Sequence, residues 1–189
     1  MFINPVDRYN EMIFNCLDDM VAPDNPVRIL DKLIDITIEK YHAKYSYKGT
    51  GAIGRPAYSP ATMLKTVLYG LMNGISSIKR LENELYINLE LIWLTGNLRP
   101  DYNTISAFRK NSATLIIQFC HDLKKTVQSD FEKVKKQIMD VSNFNKNSSI
   151  KVLPSGIILQ ITKAENILMQ TVRKTKSAKK KSSGQIILI

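Results

Sequence analysis

Apolar side chains recur at intervals of three and four along the first two-thirds of the chain, the period at which one face of an α-helix returns. Met12, Ile13, Cys16, Leu17 and Met20 predict a first helix from about Arg8 to Met20. Ala22-Pro23-Asp24-Asn25-Pro26 stops it, and Asn25 before Pro26 has the form of an N-cap with proline at the first helical position. A second helix follows, with Val27, Leu30, Leu33, Ile34, Ile38 and Tyr41 on one face. Residues 46–60 carry three glycines and two prolines and read as a surface loop. Ser59-Pro60 opens a third helix striped by Met63, Leu64, Val67, Leu68, Leu71 and Met72, and Asn73-Gly74 ends it. Ser76 or Ser77 caps the next, where Ile78, Leu81 and Leu85 face inward; the pattern resumes through Leu89, Ile92 and Trp93 and halts at Thr95-Gly96. After the turn Asn97-Leu98-Arg99-Pro100-Asp101, a long last helix is predicted from Asn103 or Thr104 towards Val127, burying Ile105, Phe108, Leu115, Phe119, Leu123 and Val127.

The expected fold is all-α: a helical bundle with a helix-turn-helix-like pair over residues 1–136. Beyond it, residues 137–150 hold a short apolar segment ending in Asp140, and residues 151–189 read as an irregular, disordered basic tail. The run 173–181, Arg-Lys-Thr-Lys-Ser-Ala-Lys-Lys-Lys, is too charged to pack, and the apolar end Gln185-Ile186-Ile187-Leu188-Ile189 has no obvious partner. With 44% apolar and 23% charged residues the chain has the make-up of a folded soluble protein. It shows neither a bilayer-length apolar run nor a signal peptide, and a cytoplasmic location without membrane partners is expected. Cys16 and Cys120 fall at apolar helical positions and are expected as buried, reduced thiols. His42 and His121 lack partners at ligand spacing, so no metal site is read.

Charge is unevenly placed. Residues 1–100 balance 11 Lys or Arg against 11 Asp or Glu, whereas residues 101–189 hold 16 against 6, the whole of the net +10. A polyanion is the natural partner of such a surface, through counterion release and electrostatic steering. In the helix pair, Asn103, Thr104, Ser106, Arg109 and Lys110 are placed to present hydrogen-bonding and cationic groups to a DNA groove. Lys79 and Arg80 on the preceding helix, Arg99 in the turn and Arg55 in the loop complete the candidate contacts. Structural roles compete at each: Arg80 with Glu82 as a surface ion pair, Arg109 paired to Asp101 or Glu90, Thr104 as a cap, Arg55 as plain linker. Gly49, Gly51 and Gly54 fit a bare G-x-G-x-x-G string, but no strand precedes them and no nucleotide site is read there.

The motifs also have an order. Asn4-Pro5 with Asp7-Arg8 and Asp18-Asp19 precede Pro26-Val27-Arg28; Gly54-Arg55-Pro56-Ala57-Tyr58, Pro60, Leu64-Lys65 and Tyr69-Gly70 follow. The densest stretch is Ile75-Ser76-Ser77, Arg80-Leu81-Glu82, Asn88-Leu89-Glu90, Trp93-Leu94-Thr95-Gly96, Leu98-Arg99-Pro100-Asp101 and Thr104-Ile105-Ser106-Ala107-Phe108-Arg109-Lys110-Asn111. Over residues 2–147 these blocks resemble the N-terminal domain of bacterial insertion-sequence transposases of the InsH-like, DDE type.

The resemblance implies binding of double-stranded DNA at transposon ends by a nucleoid-associated bacterial protein, with self-association left open. It also implies a following RNase H-like domain whose three carboxylates hold two divalent ions, Mg2+ in an intact member. Asp140 stands where the first catalytic aspartate opens an Asp-Gly-[Ser/Thr]-Lys motif, and residues 137–150 correspond to that domain's first strand. Here the text reads Asp140-Val141-Ser142-Asn143, and Glu165 is the sole later acid. The expectation is therefore a truncated transposase, its DNA-binding portion without a complete catalytic centre, with Asp140 vestigial, no enzyme activity and no cofactor of its own. The alternative is a protein-interaction module that associates with intact transposase and inhibits it.

Overall fold

The computed structural model describes residues 16–41, 58–141 and 153–183, and all regular structure among them is helical. A 3-10 turn, Leu17–Met20, precedes α1 (Pro26–Lys40), α2 (Pro60–Met72), α3 (Ile78–Ile87), α4 (Leu89–Leu94), α5 (Tyr102–Asn111), α6 (Ala113–Val141) and α7 (Pro154–Ser183). The starts follow local chemistry. Asn25, Ser59, Ser77, Asn88 and Asp101 each accept a hydrogen bond from a first-turn amide of the helix they open, offsetting donors that have no partner inside the helix. Pro26 and Pro60 sit at the first helical position, where a missing N–H costs nothing.

α6 forms the spine. α1 and α7 pack along it, and α2 packs on α1, α4, α5 and α7. One continuous core joins Ile29, Leu33 and Ile34 of α1, Leu64 and Leu68 of α2, Leu85, Leu91 and Ile105 of the short helices, and Ile116, Phe119, Leu123 and Val127 of α6. α2 and α3 approach closely at Gly70, where an added Cβ would lie 2.8 Å from Leu81 Cδ1. Polar ties lock the layers. Lys65 of α2 reaches Asp31 at 2.6 Å and Asp35 at 2.8 Å on α1, and Lys40 closes the far end of α1 onto Asp130 of α6.

Several expectations are corrected. The end of the predicted first helix is a 3-10 turn, and Cys16 before it is exposed; Cys120 is buried, and both are free thiols. The predicted long helix is two. Ser112 (φ −106°, ψ 14°) ends α5 by donating its N–H to the Phe108 carbonyl and starts α6 by accepting from the Ile116 amide. α6 then runs without interruption to Val141, so residues 137–141, expected as a strand, form its last turn, with Ile138 buried on the core side. Residues 154–183 are helical where an irregular tail was expected. Ile157, Ile161, Ala164 and Leu168 recur at four, three and four, and this stripe is buried between α2 and α6. The basic run 173–181 continues the same helix. Arg55, the glycine string, His42 and residues 185–189 lie outside the described residues. Among the described residues no helix is long and apolar enough to cross a membrane.

Candidate nucleic-acid interface

α5 is fixed at both ends. At its start, Asp101 Oδ1 accepts the Thr104 amide at 2.7 Å, and Glu82 of α3 accepts the Tyr102 amide at 2.8 Å. At its end, Arg109 Nη1 donates to the Ser76 carbonyl just before α3, at 2.8 Å. Between them Ile105 is wholly buried. These anchors set the helix rotation: Asn103, Ala107 and Lys110 form the exposed ridge opposite Ile105, with Thr104 and Ser106 half-buried on its flanks.

The candidates therefore separate. Asn103, Ser106 and Lys110 lie on or beside the outer ridge. Thr104 gives its backbone N–H to the Asp101 cap and is not itself the cap. Arg109 points back to the scaffold, and burial holds its pKa below the ordinary arginine value. Its hydrogen bond goes to the Ser76 carbonyl, and the Glu90 carboxylate accepts instead from Asn25 and Tyr69. On α3, Lys79 and Arg80 are exposed; Arg80 reaches Glu84 at 3.5 Å, while Glu82 is spent on α5. Arg99 lies over the Tyr86 ring, 4.7 Å from its centroid, and Nη2 donates to Asn97 Oδ1 at 3.0 Å. Asn97 adopts the left-handed region (φ 61°) directly after Gly96 (φ 61°), which turns the chain from α4 towards α5.

Two polar clusters were not anticipated, and both are built from the sequence blocks. Arg28 donates to Asp18 Oδ1 and to the Asp18 and Val21 carbonyls and lies 5.0 Å over the Trp93 ring, whose Nε1 donates to the same Asp18 oxygen. These bonds hold the Asp18 carboxyl below the usual carboxylate range. In the second cluster Glu90 accepts from Asn25 at 2.7 Å and from the Tyr69 hydroxyl at 2.5 Å, and Asn88 accepts from Tyr69 at 3.3 Å. Burial and the Glu90 carboxylate both raise the Tyr69 pKa, so the phenol stays protonated as a donor. The cluster borders a cleft that α7 lines with Ile157 and Gln160. Pairing partners so far apart in sequence is what spacing alone could not do; Asn88-Leu89-Glu90 and Asp18 with Arg28 were its visible traces.

Asp140 is exposed on the last turns of α6, whereas Glu165 of α7 is buried against Lys124 at 2.5 Å. Lys124 lies 16 residues before Asp140, about 24 Å of helix axis. The two acids are thus too far apart to hold together a pair of metal ions that themselves lie about 4 Å from each other. Among the described residues no three His, Cys, Asp or Glu side chains converge as a metal site would need.

The transposase-domain family DUF772 matches residues 15–111, just over half the chain, and the chain belongs to it. The match ends with Asn111, the last residue of α5, so the spine α6 and its partner α7 lie beyond it. No curated protein and no solved structure matches the chain.

Proposed function

We propose that this chain is the DNA-binding portion of an InsH-like insertion-sequence transposase, and that the outer ridge of α5 enters a DNA groove. The observation that carries the reading is the exposed ridge Asn103–Ala107–Lys110, with polar side chains on either side of the small Ala107, on a helix pinned from behind by Ile105, Arg109 and Glu82. A reading helix needs this combination, because contacts to base edges discriminate only when their side chains are held in register. Asn103 suits a bidentate contact to adenine, Ser106 either strand's acceptors, and Lys110 guanine or phosphate. Lys79 and Arg80 of α3 and the basic residues 173–181 supply phosphate contacts, which position the protein without reading sequence.

On this reading strand cleavage is not the work of these residues, since Asp140 and Glu165 stand on separate stretches of helix. Titration of the purified chain with a duplex from its own element's end and with a scrambled duplex tests the proposal. Tighter binding to the element end, weakening steeply with salt, supports it; equal binding to both, or none at low salt, contradicts it.

A further inference from the structure

The groove-facing ridge has two unlike ends. α5 and α3 lie so that the end of α5 meets the start of α3, through Arg109 and Ser76, while the start of α5 meets Glu82 in the middle of α3. Lys79, Arg80 and Lys110 therefore belong to one end of this surface. At the other end stand Tyr86, 56% exposed, and Tyr102, 45% exposed, with Arg99 over the Tyr86 ring. Tyr102 takes its place from the bond between its amide and Glu82, one helical turn before Tyr86.

We propose that Tyr86, Arg99 and Tyr102 form a stacking platform for unpaired DNA bases next to the bound duplex, an inference that rests on the DNA-binding reading above. The chemistry at this end suits bases better than phosphates. The first amides of α5 would ordinarily attract a phosphate, but Asp101 and Glu82 already occupy them with negative charge. What is offered outward is π surface and a delocalised cation. Base faces stack on tyrosine and on guanidinium planes whatever their sequence. The guanidinium is held in advance by Asn97, which accepts from Nη2, and the backbone that carries it by the Tyr58 hydroxyl, which donates to the Arg99 carbonyl at 3.1 Å. Little side-chain freedom remains to be lost when a base arrives. Exposed Leu98 beside Arg99 and Ile87 beside Tyr86 extend the apolar rim.

The test compares a blunt duplex from the element end with the same duplex carrying a short unpaired flank that contains 2-aminopurine. The flank should tighten binding roughly tenfold and quench the 2-aminopurine emission. Tyr86→Ala should abolish both effects while leaving blunt-duplex affinity as it was, and Tyr86→Phe should keep them; thermal melts of each variant establish that it folds. Blunt-duplex binding with no gain from the flank, or a gain that survives folded Tyr86→Ala, overturns the platform alone. Failure to bind either duplex overturns the DNA-binding reading and the platform with it. Self-association of the free protein that Tyr86→Ala removes, with no gain from the flank, assigns the patch to a second copy of the chain and also overturns the proposal.

Discussion

Arg109 of α5 donates to the backbone carbonyl of Ser76, 33 residues earlier, at 2.8 Å. That bond turns the one arginine of α5 away from the outer ridge and makes it a brace between α5 and the entry to α3. Arg109→Ala should therefore destabilise the fold by about 1.5–3 kcal/mol, the range for a hydrogen bond to a charged group. Denaturant melts measure this. A variant as stable as the parent, yet unable to distinguish the element end, would return Arg109 to the reading face.

α7 makes a sharper stability prediction, because its apolar stripe completes the core. Ile161→Ala and Leu168→Ala, each at a fully buried site, should cost about 2–5 kcal/mol. Lys163, exposed on the same helix, is the control, and Lys163→Ala should change little. Stability unchanged in all three would mean that α7 does not dock on α2 and α6 in solution.

The acid limb of stability should report on Asp18. Hydrogen bonds from Arg28 and Trp93 lower its folded pKa, so its contribution is fully present above the unfolded value of about 3.9 and is lost as pH falls through the lower folded value. Trp93 is the sole tryptophan and contacts the carboxylate directly. Its fluorescence should shift below about pH 4, and Asp18→Asn should remove that titration. A Trp93 signal that titrates identically in Asp18→Asn would break the assignment.

The thiols should behave unequally. Burial, with the Glu165 carboxylate nearby, pushes the Cys120 pKa up to about 12, and Cys16 is exposed. Ellman titration of the native protein at pH 8 should count one fast thiol and reach two only with denaturant. Two fast thiols in the native state would contradict the buried α6–α7 interface.

Much of the frame was legible because its signals are local. Caps such as Asn25-Pro26 and Ser59-Pro60 announce themselves within four residues, and the α1 and α2 stripes lie within single helices. The stripe in α7 was equally local, Ile157, Ile161, Ala164 and Leu168, but the basic run downstream and the faded family motif drew the reading towards an irregular tail. In the candidate interface, the residues on and around α5 could be named from type and position. Which of them faces outward could not, since the rotation of α5 is set by Glu82 and Ser76, 20 and 33 residues from their partners. The Arg99–Tyr86 stack depends likewise on a left-handed turn at Gly96-Asn97.

The central claim is that the outer ridge of α5 reads DNA, and the most direct measurement is the affinity ratio between an element-end duplex and a scrambled duplex for the parent, Asn103→Ala and a triple Lys179, Lys180 and Lys181→Ala variant. The account predicts that Asn103→Ala loses about 1–3 kcal/mol of discrimination at unchanged salt slope. The triple variant should weaken binding to both duplexes alike and flatten the slope. A folded Asn103→Ala protein that keeps the parent's ratio, together with a Lys110→Ala protein that does the same, would contradict the account and place sequence reading on another surface.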